Sequence, residues 1–236
     1  MIKRIELYGD SVGAVELVDH MGTDLTVVNS ARVSFGVEKE EVDKKDEKLI
    51  GYLIKNRHTS TLEHNVVTFR FTVPLFVRSQ HHRHRTWSYN EVSRRYTGEN
   101  IRFYEPRNFR TQHASNRQAS NDELVNPTMR IYEDGDRLGA DDLVRRHHIR
   151  SVNLYNELMN SGVCREQARG VLPQNLYTEY YGTANLNNIL KFIDLRTHEG
   201  AQWEIRQVAK GVLDMVTELF PVTVNSYRIS KISEKK

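Results

Sequence analysis

Val66-Val67-Thr68-Phe69-Arg70-Phe71-Thr72-Val73 alternates apolar and polar side chains, placing Val67, Phe69, Phe71 and Val73 on one face, and Pro74 follows directly. A period of two marks a half-buried strand, because successive side chains of an extended chain point to opposite faces of a sheet. Proline cannot donate to a strand ladder and closes the segment. This strand is the firmest landmark in the chain, and the remaining elements are read outward from it.

Upstream, residues 2–8 (IKRIELY) and 12–18 (VGAVELV) read as short strands around the Gly9-Asp10 turn. Residues 23–33 fit strand or helix, with helix favoured. The run 38–48 (EKEEVDKKDEK) is highly charged and passes into Leu49, Ile50, Leu53 and Ile54 at helical spacing. It predicts a helix with a solvated face, on which Glu40–Lys44 and Glu41–Lys45 form pairs four residues apart. Downstream, 101–106 is a further candidate strand, and 108–136 is rich in Asn, Gln, Ser and Arg without periodicity. The stretch 105–137 is therefore expected to be irregular, as a lid or an insertion. A long helix is predicted over 139–160, with Gly162 as its left-handed cap. A short helix at 165–169, a strand at 175–181 and helices near 185–196 and 201–219 follow. Leu186, Ile189, Leu190 and Ile193 form one apolar stripe; Val208, Val212, Met215, Val216 and Leu219, with Trp203, form another. Strands come early and long helices late, which predicts an α+β fold, an antiparallel or mixed sheet with long helices packed on it. One domain is expected over 1–225, with a charged tail over 226–236 that frays from Lys231.

Composition excludes several classes. The 236 residues are 38% hydrophobic and 28% charged, with a mean hydropathy of −0.63. No apolar run approaches the roughly 18–20 residues that a membrane helix needs. Residues Met1–Ile5 carry charge with no apolar run behind them, so no secretory signal is expected. Cys164 is the single cysteine, which excludes an internal disulfide framework and points to a reducing compartment, the cytoplasm. The net charge is only +3, but five arginines and one acid lie between Arg78 and Tyr96. That segment carries +4, which leaves the rest of the chain at −1.

The residue types in this basic segment, Gln80-His81-His82-Arg83-His84-Arg85-Thr86-Trp87-Ser88-Tyr89-Asn90-Glu91-Val92-Ser93-Arg94-Arg95-Tyr96, admit several readings. Metal binding is disfavoured, because no His-Glu-x-x-His spacing occurs and the interleaved cations repel a metal ion. Nucleic-acid binding fits the mixture of arginines with Trp87, Tyr89 and Tyr96, although one short patch makes no extended backbone track. A pocket for a small phosphorylated ligand suits arginine forks beside Asn, Glu and Ser donors and acceptors. A structural salt-bridge cluster remains the bland alternative.

The string Arg83–Tyr96, RHRTWSYNEVSRRY, resembles the signature of the flavin-dependent thymidylate synthases. So do His58-Thr59-Ser60-Thr61-Leu62-Glu63-His64 upstream and, downstream and in the same order, Arg165–Pro173, Asn175–Thr178, and Asp194-Leu195-Arg196 through Ala201-Gln202-Trp203-Glu204. The resemblance covers most of residues 1–220 and is weakest over 105–137. It implies a thymidylate synthase-complementing-protein-like fold and a homotetramer with active sites shared between subunits. The implied reaction is reductive methylation of dUMP to dTMP, with 5,10-methylenetetrahydrofolate as carbon donor and FAD, reduced by NADPH, as hydride carrier. No nucleic-acid or membrane partner is implied. A nucleotide- or RNA-binding module of the same fold without turnover is the alternative.

Carried over residue by residue, the resemblance assigns catalysis to Arg196, His58 and Ser93. Arg196 favours ionisation at uracil N3, His58 serves the folate or nicotinamide side, and Ser93 hydrogen-bonds the nucleotide before any covalent role. FAD contacts fall on Ser60, Glu63, Arg83, His84, Arg85, Asn90, Glu91, Asn185, Asn187 and Lys191. Nucleotide contacts fall on Gln80, His81, His82, Arg83, Glu91, Val92, Ser93, Arg94, Arg95, Arg169 and Arg196, and no metal is implied. The chain departs from the family pattern at Thr61, where proline is usual, at Asn187 and Lys191, and at Gly200, where histidine is common.

Overall fold

The computed structural model describes residues 3–98, 100–130 and 135–234. Arg4–Glu6 (β1) and Ala14–Met21 (β2) form a hairpin, and Val66–Pro74 (β3) pairs antiparallel with β2. Ser88–Glu91 (β4) and Tyr177–Asn185 (β9) complete a five-stranded sheet in the order β1-β2-β3-β9-β4, antiparallel throughout. The α+β class therefore holds. The β3–β9 ladder runs unbroken from Val66 opposite Asn185 to Pro74 opposite Tyr177.

Val67, Phe69, Phe71 and Val73 are all fully buried, as their alternation requires. They face Leu186–Thr197 (α6) and Trp203–Leu219 (α7), whose stripes of Leu186, Ile189, Leu190 and of Val208, Val212, Val216 supply the other half of the core. Burying a side chain of this size contributes about 1.5–3 kcal/mol, so the strand and these two helices hold the sheet in place. The opposite face of β3 is polar: Thr68 bonds Thr183 across the ladder at 2.9 Å, and Arg70 pairs with Glu179 at 2.7 Å. Gly182 lets β9 pass close beneath the rings, since a Cβ there would lie 2.9 Å from Phe71 and 3.3 Å from Trp87.

Asp24–Arg32 (α1) is helical and starts in a capping box between Thr23 and Thr26. Lys44–Lys55 (α2) begins later than the charged run suggested, so the Glu40–Lys44 and Glu41–Lys45 pairs do not lie on a helix. Asp43 takes the N-cap, accepting from the Lys45 and Asp46 amides, and Lys39 reaches back to Asp43 and Asp46. Asp46 is fully buried between Lys39 and Arg32. Leu75–His81 (α3) leaves β3 directly after Pro74.

The expectation of an irregular 105–137 is corrected in part. Phe109–Gln112 (β5) and Ser120–Val125 (β6) form a hairpin, and Thr128–Met129 (β7) pairs with Leu138–Gly139 (β8). Residues 131–134 of that expectation lie outside the described residues. The candidate strand 101–106 contributes only an isolated bridge between Phe103 and Leu176. Ala140–Asn160 (α4) ends as expected, with Gly162 at φ +86°. Arg165–Ala168 (α5) is one turn long. Pro221–Glu234 (α8) corrects the expected fraying from Lys231: it is helical and packs on α2. Asp24 caps it, accepting from the Val222 and Thr223 amides at 2.9 Å and from the Thr223 hydroxyl. No helix among the described residues is long and apolar enough to cross a membrane.

Candidate active site

The basic segment starts on α3, turns at Arg83–Thr86 and returns as β4, an edge strand paired with β9. This path divides its side chains into two clusters. On one side of α3 a cavity of about 470 Å³ is walled by Arg78, Glu91, Val92, Ser93, Arg94 and Arg169. Its floor is Leu75, Leu172, Leu176, Tyr177 and Thr178. Glu91 Oε1 accepts from Arg78 Nε at 3.1 Å and from the Thr178 hydroxyl at 2.7 Å, so the lone acid orients an arginine within a cationic wall. Arg94 donates to the Tyr177 carbonyl at 3.5 Å. Arg95 turns outward to Glu166 on α5 at 3.3 Å, which fixes the 92–96 turn beside Arg169. The Ser93 hydroxyl accepts from the Arg95 amide at 3.3 Å and has no base beside it among the described residues.

The second cluster is centred on Arg196 at the end of α6. Its Nε donates to His84 Nε2 at 3.1 Å and its Nη2 to the Gln80 carbonyl at 3.0 Å. Nη1 has no intramolecular partner among the described residues. Burial, and after it the Arg196 charge, hold His84 down to about 4, so at neutral pH its ring is an uncharged acceptor. Burial and then the neighbouring Arg83 lower the Arg196 pKa as well. Two guanidiniums side by side, with no carboxylate paired to either among the described residues, raise a positive potential that suits an anion.

A family model described as "Thymidylate synthase complementing protein" matches residues 16–222. The chain belongs to this family. It is 43% identical over 210 residues to a "Flavin-dependent thymidylate synthase" of Thermus thermophilus, covering 89% of this chain and 73% of that one. A protein of the same name from Thermotoga neapolitana is 38% identical over 218 residues, covering 91% and 90%. Among solved structures, a UMP/dUMP methylase, PolB of Streptomyces cacaoi, bound with 5-Br dUMP, superposes with a TM-score of 0.76 at 34% identity, covering 95% of this chain and 97% of that one.

In this flavin-dependent thymidylate synthase relative the 58–64 segment sits against α6. His58 and Ser60 are exposed at a 3₁₀ turn, Thr59–Leu62, and Glu63 Oε1 accepts from Asn187 Nδ2 at 2.8 Å. Asn187 is thereby buried and engaged inside the chain, and Asn185 is engaged as the N-cap of α6, accepting from the Asn188 amide. Lys191, one turn beyond Asn187, is exposed, as are Arg83, Arg85 and Asn90. Val92, also exposed, donates its amide to the Glu179 carbonyl at 2.9 Å.

One expected nucleotide contact, His81, is corrected by its burial. His81 is fully buried: its Nδ1 lies 2.9 Å from the Tyr180 hydroxyl, and its ring packs against Phe71, Trp87 and Phe192. The last position of α3 points inward under Trp87, and burial pushes this imidazole well below its usual range. His82 stacks on Tyr89 at 4.1 Å. The His81 ring is part of the core, whereas His82 stays partly exposed. The sequence reading also left Arg78, Thr178, Gln202 and Glu204 without roles. Arg78 was visible as the first cation of the basic segment. Thr178, Gln202 and Glu204 lay within the recognised blocks, but their partners are remote in sequence.

Proposed function

We propose that the protein catalyses the reductive methylation of dUMP to dTMP, with 5,10-methylenetetrahydrofolate giving the carbon and NADPH the electrons. The observation that carries this reading is the Arg196 cluster: a guanidinium aimed by a neutral imidazole and a backbone carbonyl, with one N–H edge left for a ligand. A fixed cation beside uracil stabilises the anion that forms when N3 loses its proton and C5 gains electron density. Comparable preorganised donors contribute about 2.7–4 kcal/mol to catalysis. The arginine cavity binds the nucleotide phosphate through Arg78, Arg94 and Arg169, while Glu91 keeps Arg78 in place. Ser93 binds and does not attack, because nothing beside it removes its proton.

FAD fits the residues present. Arg83, Arg85 and Lys191 are exposed cations without ion-pair partners among the described residues, which suits a diphosphate, and Ser60 is exposed on the 3₁₀ turn that packs against α6. Bound there, FAD supplies the hydride chemistry that side chains lack. Asn185 and Asn187 then act through the loop and helix they brace. A homotetramer whose subunits share active sites belongs to the same proposal.

Purified protein is expected to be yellow, with a flavin band near ~450 nm, and to form dTMP from dUMP, methylenetetrahydrofolate and NADPH. A colourless protein that fails to bind added FAD refutes the proposal.

A further inference from the structure

Glu204 is a buried carboxylate in the first turn of α7, 3% exposed, and it is the fixed point of a chain of hydrogen bonds. Its Oε1 accepts from Arg110 Nη2 of the β5–β6 hairpin at 2.6 Å and from the Tyr104 hydroxyl at 3.2 Å. The Arg110 guanidinium lies 5.2 Å above the Trp203 ring, which holds it over the carboxylate. Its Oε2 accepts from Gln202 Nε2 at 2.9 Å. Gln202 Oε1 in turn accepts from Gln80 Nε2.

The direction of this chain is not arbitrary. An ionised carboxylate only accepts, whereas an amide presents a donor at one end and an acceptor at the other. Glu204 therefore forces Gln202 to turn its NH2 inward and its carbonyl toward Gln80. That carbonyl in turn draws the Gln80 NH2. Gln80 Oε1, at the far end of the amide from that bond, receives no donor from a side chain or amide among the described residues. The backbone carbonyl of the same residue holds Arg196.

We infer that Glu204 is a positioning residue that sets the hydrogen-bond polarity of Gln80, so that Gln80 offers an acceptor and selects a ligand group that donates. The inference rests on the reading of Gln80 as a nucleotide contact. In dUMP the matching donors are the ribose 3′-hydroxyl and the uracil N3–H. Glu204→Gln reverses the chain. The new amide keeps its oxygen on Arg110 and Tyr104 and gives its NH2 to Gln202; Gln202 and Gln80 flip in succession, and Gln80 then shows a donor to the ligand.

Two measurements test this. The first is dUMP binding to the flavin-loaded protein, with 2′,3′-dideoxyuridine monophosphate and N3-methyl-dUMP as probes lacking one donor each. The intact protein is expected to lose about tenfold in affinity for one of the two analogues, which identifies the donor. In Glu204→Gln dUMP binding weakens about tenfold and that discrimination disappears. Gln202→Leu, which cuts the chain and leaves the Arg110–Glu204 pair, is expected to lose the discrimination too. A Glu204→Gln protein that binds dUMP and ranks the analogues as the parent does overturns the inference.

The second is a thermal-stability cycle that needs no ligand. Gln80→Glu sets two acceptors face to face and is expected to lower the melting temperature by several degrees. In the Glu204→Gln background, where Gln202 can turn its NH2 to the new carboxylate, most of that loss is expected to vanish. Equal losses in both backgrounds overturn the relay. Absence of turnover in the parent would refute the proposed reaction and leave this cycle to judge the relay alone.

Discussion

Lowering the pH from 6.5 to 5 challenges His84, the imidazole that aims Arg196. In the folded protein the ring titrates at about 4, held down by burial and by the guanidinium 3.1 Å away. A histidine in the unfolded chain titrates near 6.5. The unfolded chain therefore takes up the proton first. The stability contributed by the neutral ring is whole above pH 6.5 and is lost as the pH falls toward 4. Integrating the proton difference between pH 6.5 and 5 gives an ideal loss of about 1.6 kcal/mol, which solvent screening of this half-exposed ring reduces to about 1 kcal/mol. His81 and His82 are also shifted downward and add to the same acid slope, so the test is a comparison. His84→Gln keeps an acceptor for Arg196 and removes the titration. Urea unfolding at pH 6.5 and at pH 5 is expected to show the parent losing about 1 kcal/mol more than the variant over that interval. Parallel losses in the two proteins would refute the assignment of a neutral, Arg196-bound His84.

Arg196→Ala is expected to cut dTMP formation by about 10²–10³-fold while FAD absorbance after gel filtration stays close to the parent's; normal turnover refutes its role at uracil N3. Ser93→Ala should retain measurable dTMP formation, since its hydroxyl has no adjacent base, and complete loss with intact dUMP binding would reinstate covalent attack. Tyr180→Phe leaves His81 Nδ1 unpaired in the core and is expected to cost about 1–3 kcal/mol in chemical denaturation.

Much of the fold was legible where local periodicity and tertiary burial agree. The 66–73 alternation became a strand buried on the predicted face, and Gly162 marked the end of α4. The β5–β6 hairpin was not legible. Phe109–Gln112 and Ser120–Val125 alternate poorly, and the hairpin is anchored by Arg110 on Glu204, 94 positions away. β4 was hidden for a similar reason, since a polar edge strand borrows its order from β9. α8 likewise starts on a carboxylate about two hundred residues earlier. Within the site, the arginines, Glu91 and Ser93 were legible by type. His81 was not, because two adjacent histidines read alike until α3 directs one inward and the other onto Tyr89.

The Asp24 clasp on α8 bears on how the chain is made. The carboxylate that opens α1 is satisfied by amides 198 and 199 positions later. During synthesis, which adds roughly 5–20 residues per second, Asp24 emerges many seconds before its partners exist. Until Val222 and Thr223 leave the ribosome, α1 has no α8 to cover it and the exposed apolar flank of α2 stays open to other chains. Assembly of this end of the molecule is therefore a late event, and a truncation before Pro221 would leave the nascent protein in that unguarded state permanently.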